Sequence, residues 1–299
     1  MSDQDAPASS PRRAGYVAIA GAPNVGKSTL LNRILDRPLA IATPKPQTTR
    51  TRLLGVETRG NIQIVFCDTP GLHKSEGLLH DRMNAQARAG VREADVVLWV
   101  IDGTRGIRTV DRIEAENLDP SRTVVVINKT DVTAKPKLLP IMEEVARLVP
   151  GADIFPLSAK TGDGVPQLFD LLASRLPQAD FFFEPDQVTD QTERFLVAEL
   201  VREQLFLQLE RELPYRVAVV IDVFEDKKKH TSITATIFTD SESSKRIIVG
   251  KGGARIKAVG VAARKTIEEL LDRPVFLELF VKVKPGWQDD PRFLEELGL

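Results

Sequence analysis

The residues best suited to chemistry in this chain are Gly21-Ala22-Pro23-Asn24-Val25-Gly26-Lys27-Ser28, followed by Thr29. They fit Gly-x-x-x-x-Gly-Lys-[Ser/Thr], a phosphate-binding loop, and follow an apolar run at 16–20 as that loop requires. Glycines at both ends let the backbone turn its N–H groups toward phosphate oxygens, and the helix that follows offers its positive end to the same anion. Lys27 is expected to reach the outer phosphates and Ser28 a Mg²⁺ ion.

Three further loops turn an anion site into a nucleotide site. Asp68-Thr69-Pro70-Gly71-Leu72 follows an apolar run, at the carboxyl end of a strand, where open α/β sheets bind ligands. Asp68 can hold the Mg²⁺ shell through water, and the Gly71 N–H can bond a γ-phosphate, which makes the loop sensitive to that phosphate. In Asn128-Lys129-Thr130-Asp131, the Asp131 carboxylate can accept the N1–H and 2-amino donors of guanine, which adenine lacks. Asn128 is expected to tie this loop to the phosphate loop, and the Lys129 stem to cover the base. Ser158-Ala159-Lys160 can place the Ala159 N–H on guanine O6.

A threonine closing on Mg²⁺ and γ-phosphate is also required, and Gln47-Thr48-Thr49-Arg50 lies in the right interval. Thr49 is favoured and Thr48 is the alternative. Leu72 stands where Ras-like enzymes carry a water-orienting glutamine. Leucine cannot polarise water, so slow intrinsic turnover is expected. Lys27, Thr49, Gly71 and Leu72 are the candidate catalytic set.

The elements that must position these loops are legible as alternating short apolar runs and amphipathic stretches, the punctuation of a doubly wound α/β domain with a mostly parallel sheet. Runs at 96–101 and 124–127 are apolar on both faces, as central strands must be. Residues 53–57 and 62–67 read as a hairpin, which makes one edge strand antiparallel. Helices are expected over 27–35, 79–93, 137–148 and 165–176. A length of 299 residues suits two domains. The division expected is a disordered tail over 1–13, a GTPase domain over 14–178, a linker over 179–190 and a second domain over 191–299. Phe181-Phe182-Phe183 in the linker should dock on a surface rather than stand free.

A single cysteine, Cys67, excludes an internal disulfide, and three histidines without ligand spacing argue against a Cys/His metal site. No apolar run reaches the ~18 residues of a membrane span, and the first residues lack a signal-peptide core. A cytoplasmic protein is expected. The net charge of −1 is uninformative, but 243–265 holds Lys245, Arg246, Lys251, Arg255, Lys257, Arg264 and Lys265 with no acidic residue.

Within that cationic run, Gly250-Lys251-Gly252-Gly253 precedes a helix expected from 254 to 271. It matches the Gly-x-x-Gly loop with which KH domains clamp a nucleic-acid backbone. Preceded by a helix and two alternating strands and followed by a helix and a strand, it predicts an α+β type II KH domain. Gly250, Lys251, Gly252, Gly253, Arg255 and Lys257 are the candidate RNA contacts. Trp287 reads as an anchor for the C-terminal segment.

Together, residues 21–32, Gln47 to Arg50, Asp-Thr-Pro-Gly-Leu-His at 68–73, Asn-Lys-x-Asp, Ser-Ala-Lys and Val-Lys-Val-Lys-x-x-Trp at 281–287 resemble the Era family of bacterial ribosome-associated GTPases. The resemblance runs from about residue 16 to the C-terminus. It implies a monomeric switch that hydrolyses GTP to GDP with Mg²⁺, binds the 3′ end of 16S rRNA and assists maturation of the 30S subunit. It also implies K⁺ assistance through Asn24, a hydrophobic residue at position 72, and peripheral association with the cytoplasmic membrane. A constitutive RNA-binding protein with a structural nucleotide, and a GTPase with another RNA target, are the competing readings.

Overall fold

The computed structural model describes residues 11–43, 45, 48–70 and 77–299, and these form two compact units. The first holds the described residues up to Asp36, then Leu53–Asp68 and Ala89–Asp190. The second holds the described residues of Arg37–Arg52 and Thr69–Arg88 together with Gln191–Leu299.

In the first unit β1 (Arg13–Ala20), α1 (Lys27–Leu35), β2 (Leu53–Arg59) and β3 (Ile62–Asp68) are followed by β4 (Val96–Asp102), α3 (Thr109–Ala115), β5 (Thr123–Asn128), α4 (Lys135–Leu148), β6 (Asp153–Pro156) and α5 (Val165–Arg175). Between β3 and β4 runs α2 (Leu78–Glu93). The six-stranded sheet has the order β2-β3-β1-β4-β5-β6. All neighbours are parallel except β2 and β3, which pair antiparallel from Leu53↔Asp68 to Arg59↔Ile62. The hairpin expected at this edge is therefore present, closed by Gly60 and Asn61. Every residue of β4 and β5 is buried, which explains why their sequences carry no alternation. Trp99, Ile101, Val125 and Ile127 pack with Ile141 and Val145 of α4. Cys67 is buried, as its apolar neighbours imply.

β1 begins at Arg13, three residues before the run read from the sequence, because Arg13 and Ala14 pair with Ile62 and Gln63. The end of the expected tail is tied down as well, since Asn61 donates to the Pro11 carbonyl at 2.9 Å and the Ala179 N–H to that of Arg12 at 3.2 Å. The aromatic triplet is docked: Phe182 stacks on Tyr16 at 5.1 Å, and Gln63 Oε1 accepts the N–H groups of Phe182 at 2.8 Å and Phe183 at 3.0 Å.

The second unit carries α6 (Glu193–Gln208), β7 (Val217–Asp226), β8 (Thr231–Thr239), α7 (Glu242–Val249), α8 (Ala254–Leu271), β9 (Val275–Val283) and α9 (Pro291–Glu296). β8 is central, antiparallel to β7 and parallel to β9. Its core sets Val197, Val201 and Leu205 of α6 and Val259, Ala263 and Ile267 of α8 against Ile233, Ala235 and Ile237. The spacing of four along each helix puts these residues on one stripe. α7, between the second strand and the Gly-x-x-Gly loop, is an element the sequence does not predict; Ser241 is its N-cap, its hydroxyl accepting the Ser244 N–H at 3.2 Å. Trp287 is fully buried with Leu79, Met83, Phe293 and Leu294, the anchor expected of it.

Candidate functional site: a nucleotide pocket and a nucleic-acid groove

The phosphate loop, Asp68, the 128–131 loop and the 158–160 loop all follow carboxyl ends of strands in one sheet, after β1, β3, β5 and β6. Hydrogen bonds link them. Asn128 Nδ2 donates to the Val25 carbonyl at 2.8 Å, and its Oδ1 accepts the N–H of Ala159 at 2.9 Å. Lys129 donates to the Asn24 carbonyl at 2.7 Å, and Ser158 Oγ to Asp131 Oδ1 at 2.7 Å. Asn128 thus joins three of the loops, as its sequence position suggests. The Ala159 N–H, expected on guanine O6, is used on Asn128 in this structure.

Glycine is required at position 26 by two constraints. Its φ is +104°, and an added Cβ would lie 2.2 Å from Asn128 Nδ2. Lys27, at the first turn of α1, is buried and donates to the carbonyls of Gly21 at 2.7 Å and Ala22 at 3.1 Å. Burial holds its pKa below the ordinary lysine value, against the opposing pull of Asp68 and Glu114. Ala22 and Val25 are fully buried, which leaves the loop backbone as its working surface.

Ser28 Oγ donates to Asp68 Oδ2 at 3.0 Å, so a hydroxyl and a carboxylate oxygen converge beside the phosphate loop. Two hard oxygen donors fit Mg²⁺, which takes few protein ligands and completes its shell with phosphate and water. Thr69 and Pro70 are buried; Gly71 and Leu72 lie outside the described residues. Asp131 is exposed with its carboxylate steadied by Ser158, and Thr130 donates its N–H to the Leu157 carbonyl at 3.2 Å. Lys160 is exposed, and its carbonyl accepts Arg33 Nη2 of α1 at 2.5 Å.

Asp102 is a candidate site residue that the sequence does not single out. At the end of β4, and nearly fully buried, it accepts Lys129 Nζ at 2.7 Å and the Thr104 hydroxyl at 2.6 Å. Its signal in the sequence is slight: one carboxylate closing an apolar strand, followed by Gly103-Thr104.

In the second unit, Thr48 and Thr49 lie outside any helix or strand, half-buried, with the Thr48 hydroxyl donating to the Ile41 carbonyl at 3.2 Å. Arg50 is buried, and burial together with neighbouring Arg202 brings its pKa down to about 9, so it is charged at neutral pH.

The Gly-x-x-Gly loop joins α7 to α8. Gly250 has φ +74°, and a Cβ there would meet that of Arg255 at 2.8 Å. Arg255 Nη1 donates to the Ile247 carbonyl at 2.6 Å, bracing the loop from its C-terminal side. Lys251, Gly252, Arg255 and Lys257 are exposed, as are Arg246, Arg264 and Lys265. Beside the loop is an open groove of about 260 Å³ lined by Ile256, Lys257, Gly260, Val261, Leu277 and Leu279, with Arg264 at its edge. An apolar floor with cationic walls suits bases laid flat and phosphates outside. Its apolar lining was not read from the sequence, because Leu277 and Leu279 reach α8 only through the β8–β9 pairing.

Fold and site define a P-loop GTPase carrying a KH module. Residues 16–129 match the family model described as "50S ribosome-binding GTPase", and 212–288 the KH domain model. The chain is 47% identical over 298 residues to GTPase Era of Pseudomonas aeruginosa, covering 98% of this chain and 97% of that one, and 46% identical over 290 residues to GTPase Era of Azotobacter vinelandii, covering 96% of each. It is also similar to an Aquifex aeolicus Era variant solved with GDP and AlF4⁻, and to Era solved with MgGDPNP and nucleotides 1506–1542 of 16S ribosomal RNA. Each of these two superposes with a TM-score of 0.92 at 38% identity, covering 96% of this chain and 99% of the solved one. The chain belongs to the GTPase Era family.

Proposed function

We propose that this GTPase binds Mg²⁺-GTP in the pocket built by residues 21–29, 68–72, 128–131 and 158–160, and holds the 3′ end of 16S rRNA in the groove beside Gly250 to Gly253. Lys27 neutralises the outer phosphates, and Ser28, Asp68 and Thr49 hold Mg²⁺. Asp131 selects guanine, and the Gly71 N–H senses the γ-phosphate. Leu72 leaves the attacking water without a side-chain partner of its own, which makes intrinsic hydrolysis slow, and K⁺ at Asn24 assists it. Bound GTP orders the loops of Thr49 and of 68–72, these alter the KH module, and hydrolysis releases the RNA-bound state.

The observation that carries this reading is the Asn128 junction, where one side chain bonds both the phosphate loop and Ala159. The RNA assignment is supported by the cationic, apolar-floored groove and by the rRNA bound in a solved relative. The 30S subunit is the site of action proposed for a monomer. Any membrane association would be peripheral, since no helix among the described residues is long and apolar enough to cross.

Multiple-turnover phosphate release from GTP, measured with and without RNA ending in the 16S 3′ sequence, tests the proposal. Turnover that rises with that RNA and not with a scrambled one supports it. Turnover indifferent to RNA would separate the two modules functionally.

A further inference from the structure

Thr49 is bracketed by two buried guanidinium groups, and every partner in the arrangement belongs to the second unit. On one side Arg202 Nη2 donates to the Thr48 carbonyl. On the other, Arg50 donates from Nη1 to the Val217 carbonyl at 2.7 Å and from Nη2 to that of Tyr215 at 2.9 Å, gripping the chain where β7 begins. Arg202 is itself fixed within α6 by Glu199, at 2.8 Å from Nε and 2.6 Å from Nη2. Arg50 lies over the ring of Trp287 at 5.4 Å. Two residues further on, the Arg52 N–H reaches Gln86 Oε1 at 2.9 Å. Upstream, the Ala42 N–H donates to Glu203 Oε1 at 3.1 Å, and Lys45 Nζ to the carbonyls of Phe206 and Leu209.

Arginine has a planar fork that can span two carbonyls at once, and it tolerates burial better than an ammonium. The Arg50 fork closes on carbonyls of residues 215 and 217, a rigid two-point grip on the first KH strand. Because the anchors flank Thr49 in the chain, a shift of its backbone pulls on Arg50, Arg202, or both.

We infer that Arg50 and Arg202 are positioning residues that fasten the backbone around Thr49 to β7 and α6, so that the movement of Thr49 on nucleotide exchange is delivered to the KH sheet. This rests on the reading, proposed above, that Thr49 answers to bound GTP. The guanidiniums touch neither nucleotide nor RNA in this scheme.

The full chain is assayed for affinity to an RNA of the 16S 3′ sequence with GDP and with a non-hydrolysable GTP analogue, as wild type, Arg50→Lys, Arg202→Met and Thr49→Ala. In the wild type the two affinities differ by about fivefold or more, within the usual range of coupling. Arg50→Lys and Arg202→Met bring that ratio to about one while leaving GDP affinity unchanged. Hydrogen exchange supplies a second readout on the same proteins. Exchanging GDP for the analogue alters protection of amides 217–221 in the wild type, and in Arg50→Lys the change stops within 37–52. A merely structural role would lower the melting temperature without erasing this difference. If both arginine variants keep the wild-type ratio and the β7 response while Thr49→Ala loses them, the inference is overturned and the switch stands. If the wild type itself has a ratio of one, the switch falls and the inference falls with it.

Discussion

Asp102 receives the Lys129 ammonium on Oδ2 at 2.7 Å, and the same ammonium reaches the Asn24 carbonyl at 2.7 Å. Lys129 has φ +69°, a conformation that costs a non-glycine residue about 1 kcal/mol, and Asp102 fixes the far end of its side chain. The long Lys129 stem is thereby drawn across the pocket between the base loop and the phosphate loop. Replacing Asp102 with Asn removes the charge and keeps the shape. Both GDP and GTP are expected to bind about tenfold more weakly, equivalent to about 1.4 kcal/mol. Titration with a fluorescent guanine nucleotide checks this, and unaltered affinity would detach Lys129 from the site.

The same carboxylate has a pH signature. Burial alone would raise its pKa, but the hydrogen bonds from Lys129 and Thr104 outweigh burial and hold it below the ordinary aspartate value. A group depressed in this way stabilises the fold fully above its unfolded value of about 4, and the contribution drains away as pH falls through the lower folded value. Thermal unfolding between pH 6 and pH 3 should therefore show a steeper acid loss in the wild type than in Asp102→Asn. Parallel curves would assign the acid sensitivity elsewhere.

Asp131→Asn tests the base assignment. Asparagine offers a donor where guanine presents one, so GTP affinity should fall by about 10–100-fold, the value of losing a charged hydrogen-bond pair. Xanthosine triphosphate, with an acceptor at that position, should gain. Ser158→Ala leaves the carboxylate and removes only the 2.7 Å bond that steadies it, so a smaller loss with unchanged base preference is expected. GTP affinity unchanged in Asp131→Asn would move guanine recognition to another residue.

The loops proposed to form the nucleotide pocket were legible in the sequence because their chemistry limits the residue types. Lys27, Asp68, Asn128 and Asp131 each follow an apolar strand whose own pattern is plain, and the sheet brings them to one rim. Asp102 escaped because a single carboxylate at a strand end looks like ordinary punctuation. Arg50 and Arg202 escaped for a different reason: their partners are backbone carbonyls, which every residue carries, and the Arg50 partner Val217 is 167 positions away. Helix α3 is only seven residues long, too short to show a period, and α7 hid behind a cationic run whose few apolar residues do not announce one. What depends on residue identity was legible, and what depends on backbone brought together by folding was not.

Gly252→Asp separates the RNA function from the fold. Gly252 has φ +59°, where aspartate is among the better-tolerated side chains, and an added Cβ would meet nothing within 4 Å. Gly250 is different, since its Cβ would press on Arg255, and substitution there would disturb α8 as well. At position 252 the new carboxylate enters the cationic run directly after Lys251, on the path proposed for the RNA backbone. RNA affinity should fall by at least about tenfold at moderate salt, with a shallower salt dependence, because charge at the phosphate path acts through counterion release. The melting temperature and the affinity for GDP should stay at wild-type values, since Gly252 belongs to neither core nor pocket. Fluorescence anisotropy over a salt series measures both effects, and RNA binding that survives Gly252→Asp intact would take the RNA off this loop.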